Sequence, residues 1–177
     1  MRLISKPHPD EHVPYVSMYI DLLPDNSRIL QHLRDSLEAS KQFIAAFPED
    51  VLGTPHAPNE WTIKEILGHI IDDERIYAYR ALRFARNDFT ELPGFEQDEY
   101  IIPSRANERT IEDILAELTA VRAATLTLYQ NLPEETLTRA GIASGNIMSV
   151  RTIAYHIAGH ELHHMNSIRE NYGQWRQ

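Results

Sequence analysis

The stretch that most restricts what this chain can fold into is Ser149 to Gly173, SVRTIAYHIAGHELHHMNSIRENYG. Val150, Ile153 and Ile157 recur at helical spacing, and carrying that stripe forward lands on His160, His164 and Ile168. The face that ought to be buried therefore changes from aliphatic to imidazole part-way along one helix. Two neighbouring imidazoles in a core each need a hydrogen-bond partner and resist protonation, whereas a divalent ion satisfies both as neutral ligands. Residues four apart on a helix stand one above the other, with roughly 5 to 6 Å between Cβ atoms, so His160 and His164 can grip one ion from a single wall. His156 and His160 have the same spacing, and the stripe favours the later pair. The plainer reading is a set of partly exposed helix histidines with ordinary partners.

The rest of the chain offers helices to face this one. Asp25 to Phe47 carries Leu30, Leu33, Leu37, Ile44 and Phe47 on one stripe and stops before Pro48. A second helix begins after Thr62 and runs to about Arg86. Thr62 with Glu65 makes a capping box, Trp61 can staple onto Ile66, and Ile63, Ile66, Leu67 and Ile70 form the buried face. A third runs from its cap Thr110, with Asp113 in its first turn, to about Leu132 on Ile111, Ile114, Leu115, Leu118 and Val121. The first and third are expected to bring only apolar residues to the core. Ser149 caps the fourth and Gly173 is placed to end it. Residues 1–24 hold Pro7, Pro9, Pro14 and Pro24 and read as an extended arm with a turn or two of helix in 15–23, its Tyr15 and Tyr19 packing onto the body. Residues 87–109 form a long polar connection without a sustained period, a length that commonly marks a lid or binding loop. No strand pair stands out. The expected fold is all-α: one domain over residues 1–177, a four-helix bundle with an N-terminal arm and a long loop between its second and third helices.

The chain has no cysteine, which removes disulfides, protein thiolates and Cys-based metal sites and leaves imidazole and carboxylate as ligands. A formal net charge of −9 opposes phosphate-backbone binding, so no nucleic-acid partner is expected. No apolar run suits a signal or a membrane span, and the expectation is a soluble cytoplasmic protein with no membrane contact.

Outside the last helix, His69 lies between Ile66 and Ile70 around the second helix, toward the buried face. A lone histidine there is more often a satisfied core residue than a ligand, yet the cluster in the fourth helix lacks a third protein ligand and His69 could supply it across a bundle. Asp73, four residues on, is in principle close enough to receive the spare ring N–H of a metal-bound His69, with Glu74 as the alternative. Against both stands a solvated acidic run, Asp72 to Glu74, balanced by Arg75, Arg80, Arg83 and Arg86. His160, Glu161 and His164 also spell H-E-x-x-H, the zincin pattern, with Glu161 as general base. A zincin needs a further ligand downstream and a strand to bind substrate. The nearby Glu170 lies on the same helix.

EWTIKEILGHIIDDERIYAYRALRFARND and SVRTIAYHIAGHELHHMNSIRE resemble the second and fourth helices of the DinB-like superfamily, which includes transferases and isomerases that use bacillithiol or mycothiol. LPGFEQDEY and HPDEHVPYVSMYIDLLP resemble one subgroup of it. The resemblance spans nearly the whole chain. It implies a four-helix bundle, frequently a homodimer, with a divalent metal held by His69, His160 and His164. Three imidazoles leave coordination positions open, for a water or for a low-molecular-weight thiol. Zinc and nickel both suit a nitrogen-only site, and copper wins on affinity alone. The expected function is a metal-dependent hydrolase or a low-molecular-weight-thiol transferase, with Glu74 and Glu161 as candidate bases. The alternatives are a non-catalytic bundle that binds a metal or small ligand, and the H-E-x-x-H metalloprotease.

Overall fold

Proline and apolar spacing set most element boundaries in the computed structural model, which describes residues 2–175. In chain order the helices are α1 (Ser17–Ile20), α2 (Ile29–Ile44), α3 (Glu49–Leu52), α4 (Ile63–Ala85), α5 (Gln97–Ser104), α6 (Ile111–Gln130) and α7 (Val150–Tyr172). Strands β1 (Ala140–Ala143) and β2 (Asn146–Ser149) pair antiparallel just before α7. The caps are those expected. Thr62 Oγ1 accepts from the Glu65 amide at 3.1 Å while Glu65 Oε2 accepts from the Thr62 amide at 2.9 Å. Thr110 and Ser149 each accept from the amide three residues on. Gly173 follows α7 with a right-handed φ of −58° and leads into one further turn, so its lack of a Cβ is not what stops the helix.

Helices α2, α4, α6 and α7 form the bundle. α4 packs on both α6 and α7, and so does α2, which places α2 and α4 at opposite corners. α4 and α6 lie side by side and run the same way: Lys64 Nζ donates to the Arg109 carbonyl at 2.8 Å, Asn107 joins Thr62 and Glu65, and further along Arg75 pairs with Glu117. A chain leaving a 23-residue helix must therefore travel back its full length, about 34 Å, before starting a parallel neighbour. The long 87–109 connection is a requirement of this topology.

That connection is more ordered than its sequence indicates. It contains α5, which buries no residue and so has no stripe to display. Leu92 pairs along the edge of the hairpin, donating nothing sideways to solvent: its amide bonds the Ile142 carbonyl at 3.0 Å and its carbonyl accepts from the Ser144 amide at 2.9 Å. The hairpin corrects the expectation of no strand pair. Its strands are four residues each, and its turn, Ser144 and Gly145 at φ 52° and 72°, is the left-handed pair that two-residue hairpins favour. Ile142 and Ile147 face each other across the strands and are exposed, so the usual alternation is missing.

Two buried apolar clusters fill the bundle, one around Leu33, Ala81, Tyr129 and Ile153, the other around Leu37, Ile71, Leu118 and Met165. Between them each bundle helix contributes polar groups: Ser36 and Ser40 from α2, Asp73 and Glu74 from α4, Arg122 from α6, His160 and Glu161 from α7. α2 and α6 are thus not purely apolar inside, as their stripes suggested. Arg122 stands four residues after Leu118 at a core position and is fully buried.

The N-terminal arm is fastened to α7. Tyr155 Oη donates to the Ile4 carbonyl at 2.9 Å, and Arg151 forms an ion pair with Glu11. Tyr19 packs on the rings of His156, His160 and His163, whereas Tyr15 stays half exposed. The close approach depends on Gly159, where a Cβ would lie 2.2 Å from the Tyr19 carbonyl oxygen. Among the described residues no helix is long and apolar enough to cross a membrane. Gly159→Ala tests the docking. In a free helix the change is worth about 1 kcal/mol in favour of alanine, but overpacking against the arm costs about 1–3 kcal/mol. The expected result is a lower Tm and faster proteolysis near residue 19; a raised Tm would mean that the arm does not sit on α7.

Candidate metal centre

The antiparallel contact of α4 with α7 builds the site. His69 Nε2 lies 3.0 Å from His160 Nε2, and His164 Nε2 lies 3.1 Å from the same atom. One ligand atom from each of the three residues falls within 4.8 Å of the others. His69 and His160 are buried and His164 half-buried, with Trp61 set against the His69 ring at 5.1 Å and Tyr19 against His160 at 5.4 Å. The three histidines named by the sequence are therefore brought together.

Asp73 is placed differently from expectation. Its Oδ2 lies 3.2 Å from His156 Nε2 and 3.4 Å from His160 Nδ1, and it serves these rings of α7 instead of His69. The cause is helix direction: a step toward the C-terminus of α4 is a step toward the N-terminus of α7. One turn beyond His69 the facing residues are His160 and His156, and one turn further Tyr77 stacks on His156 at 3.9 Å. Position in the sequence could not supply that register.

The donor set fits a divalent ion. Asp73 Oδ2 stands on the Nδ1 side of His160, and a proton held at that nitrogen would leave a lone pair on its Nε2. Both other imidazoles turn an Nε2 toward that single lone pair. Nitrogens around a tetrahedral ion with bonds of ~2.0–2.1 Å lie about 3.3 Å apart, close to the two spacings found here.

Burial, opposed by Asp73, holds His160 down to about 3. Burial together with His160 and His69 holds His164 down to about 2, and burial lowers His69 too. For Asp73 burial acts upward, but the rings of His160 and His156 outweigh it and bring the carboxyl to about 2. The geometry agrees with an ionised Asp73 that is hydrogen-bonded to His156 and lies beside a neutral His160, and a neutral imidazole is the ligating form.

Glu74 and Glu161, the candidate bases, are committed elsewhere. Both Glu74 oxygens accept from Arg122, at 2.9 to 3.1 Å. Glu161 Oε2 accepts from Arg122 at 3.0 Å and from Ser36 at 2.6 Å, and its Oε1 accepts from Ser40 at 2.8 Å. Both are buried in this unit, so neither carboxylate is free to take a proton at the histidines. The H-E-x-x-H reading fails in the same way: its glutamate points into the ion-pair unit, and its histidines meet a third one from upstream, on α4.

A cavity of about 300 Å³ opens beside His160, walled by Tyr15, Tyr19, Asp73, Tyr77 and His156, with Arg80 at its far end. Sequence reasoning missed Arg122, Arg80 and His156. For Arg122 a signal existed, its spacing from Leu118. Arg80 was hidden in a run of surface arginines, and His156 was set aside as lying off the stripe, though it is buried.

A family profile described as DinB superfamily matches residues 29–168, a span that contains every bundle helix except the last residues of α7. The chain belongs to the DinB superfamily. Among solved structures it is similar to YfiT from Bacillus subtilis, described as a probable metal-dependent hydrolase with an unusual four-helix bundle topology. The TM-score is 0.73 at 16% identity, over 96% of this chain and 92% of that one. At that identity the likeness establishes the fold. No curated protein sequence matches.

Arg122→Ala leaves two buried carboxylates unpaired and should cost about 3–5 kcal/mol, read by urea denaturation; a loss under 1 kcal/mol would mean the unit is solvated. The histidines set the acid behaviour of the metal-free fold. In the unfolded chain each ring protonates near its ordinary value of about 6.5, but in the fold only near pH 3 for His160 and pH 2 for His164. Between those limits the unfolded chain binds more protons, so stability is whole above about pH 6.5 and falls as pH drops, by up to about 1.4 kcal/mol per unit for each ring. Denaturation midpoints of chelated protein between pH 7.5 and 5 should decline steadily; a flat profile would contradict neutral buried rings.

Proposed function

We propose that this chain is a metal-dependent hydrolase that holds one divalent ion on His69, His160 and His164. The observation that carries the reading is the convergence of three Nε2 atoms from two facing helices. When bound, the ion supplies Lewis acidity: it polarises an acyl or phosphoryl oxygen and acidifies a water or a small thiol. The protein's own part is orientation and screening. The charge of Asp73 beside Nδ1 of His160 favours a proton there, while Trp61 and Tyr19 hold the rings in place and limit solvent at the cluster. The cavity of about 300 Å³ beside His160 has room for a small molecule.

One observation also supports the low-molecular-weight-thiol reading. Asp73, Glu74 and Glu161 are already engaged and the chain has no cysteine, so neither a free base among these three nor a protein thiol is at hand. A thiol brought from outside and acidified at the ion needs neither.

Metal analysis tests the assignment. Purified protein should hold about one ion per chain, zinc or nickel according to supply. His69→Ala, His160→Ala or His164→Ala should lower occupancy at least tenfold, and His156→Ala should leave it near the starting value. Full occupancy in His69→Ala with loss in His156→Ala would move the site to the other face of α7. Turnover of activated esters, or of an electrophile with an added thiol, should then require metal and vanish in His164→Ala.

A further inference from the structure

Arg80 is 4% exposed, yet among the described residues no carboxylate pairs with it. Its neighbours in the same run are paired, Arg75 with Glu117 and Arg83 with Asp88. Arg80 makes one hydrogen bond, from Nη2 to the Pro93 carbonyl at 3.1 Å, and its guanidinium carbon lies 4.7 Å from the centre of the Tyr77 ring. Among the described residues the remaining donors of the fork have no protein acceptor. A buried cation with no carboxylate paired to it directly is costly to keep, and this one lines the cavity that opens onto His160.

Helix geometry puts Arg80 in line with the metal cluster. His69, Asp73, Tyr77 and Arg80 fall at steps of four, four and three along α4, so all four share one face. Asp73 and Arg80 are separated by about 10 Å of helix axis. The wall between them is aromatic, with Tyr77, Tyr15 and Phe95. Asp73, Glu96 and Asp98 also line the cavity, and their negative field opposes a dianion more than a monoanion. A planar carboxylate matches the guanidinium fork in both charge and shape.

We infer that Arg80 is a carboxylate-binding residue, and that the cavity takes a small monocarboxylate with its apolar body along Tyr77 and Phe95 and its other end at His160. Arg80 is a specificity determinant in this assignment, and it touches the ligand without taking part in bond cleavage. The inference rests on the hydrolase reading only for what happens at the His160 end. Binding of the carboxylate needs no metal.

The test uses the full chain stripped of metal, because a bound ion would itself attract carboxylates. Benzoate, benzamide and phenyl phosphate are titrated by calorimetry or ligand-observed NMR. Wild-type protein should bind benzoate at least tenfold more tightly than benzamide and more tightly than phenyl phosphate. Arg80→Met should reduce the preference over benzamide to within twofold, Arg80→Lys should reduce it at least threefold, and His164→Ala should leave it unchanged. Circular dichroism establishes that each variant is folded. If Arg80→Met does not fold, the Arg80→Lys result decides. Equal binding of benzoate and benzamide, a preference that survives substitution of Arg80, or tighter binding of phenyl phosphate would overturn the assignment. Loss of the preference in His164→Ala alone would place the anion at the histidines and overturn it as well. A protein that binds no metal but discriminates through Arg80 would remove the hydrolase reading and leave this one standing.

Discussion

Arg122 is the group on which the rest of the interior depends. It reaches from α6 to Glu74 on α4, to Glu161 on α7 and to Ser36 and the Leu33 carbonyl on α2, so one side chain joins all four bundle helices. Two carboxylates share one guanidinium, and the serines of α2 satisfy the remaining lone pairs of Glu161. Glu74 is next to Asp73 in the chain and Glu161 next to His160. Fixing the two glutamates therefore fixes the rotation of α4 and α7 about their axes. That rotation aims His69 at His160 and Asp73 at the far side of the same ring. The ion-pair unit and the imidazole cluster are adjoining parts of one polar layer.

Much of this was legible in the sequence. Caps at Thr62, Thr110 and Ser149 and apolar stripes at helical spacing marked the bundle helices to within a few residues. The run of Val150, Ile153 and Ile157 into His160 and His164 showed which face of the last helix turns inward. Position on the buried face left His69 open between an ordinary core histidine and a third ligand, and the resemblance to the DinB-like superfamily favoured the ligand. What stayed hidden depends on which residues face each other across space. Asp73 was assigned to His69 because they share a helix, and the antiparallel register gives it to His160 and His156. α5 and the hairpin escaped for a different reason. Neither buries a regular face of its own, and the hairpin's outer edge is completed by Leu92 from a distant segment.

The H-E-x-x-H string shows how little a motif fixes by itself. Its spacing does put two histidines on one wall, as the helix requires. The glutamate between them stands about 100° around the helix from the first, and here that direction leads into the Arg122 unit. The same five letters therefore serve an imidazole cluster and a structural ion pair, and the partner helices decide which residue does what.

The diagonal placement of α2 and α4 has a kinetic consequence. Of the successive bundle helices, α2 does not pack on α4 nor α6 on α7, and α4 reaches its neighbour α6 only through the long 87–109 connection, so few of the bundle's contacts can form locally. His69 must wait for a partner 91 residues downstream before the cluster exists. Folding of such a chain is governed by closure of long loops, and it should be slow beside that of an up-and-down bundle of equal size. During synthesis α4 is complete long before α7 has been made, and in that interval its inward histidine, aspartate and glutamate have nothing to face. The three imidazoles can come together only after α7 has been translated.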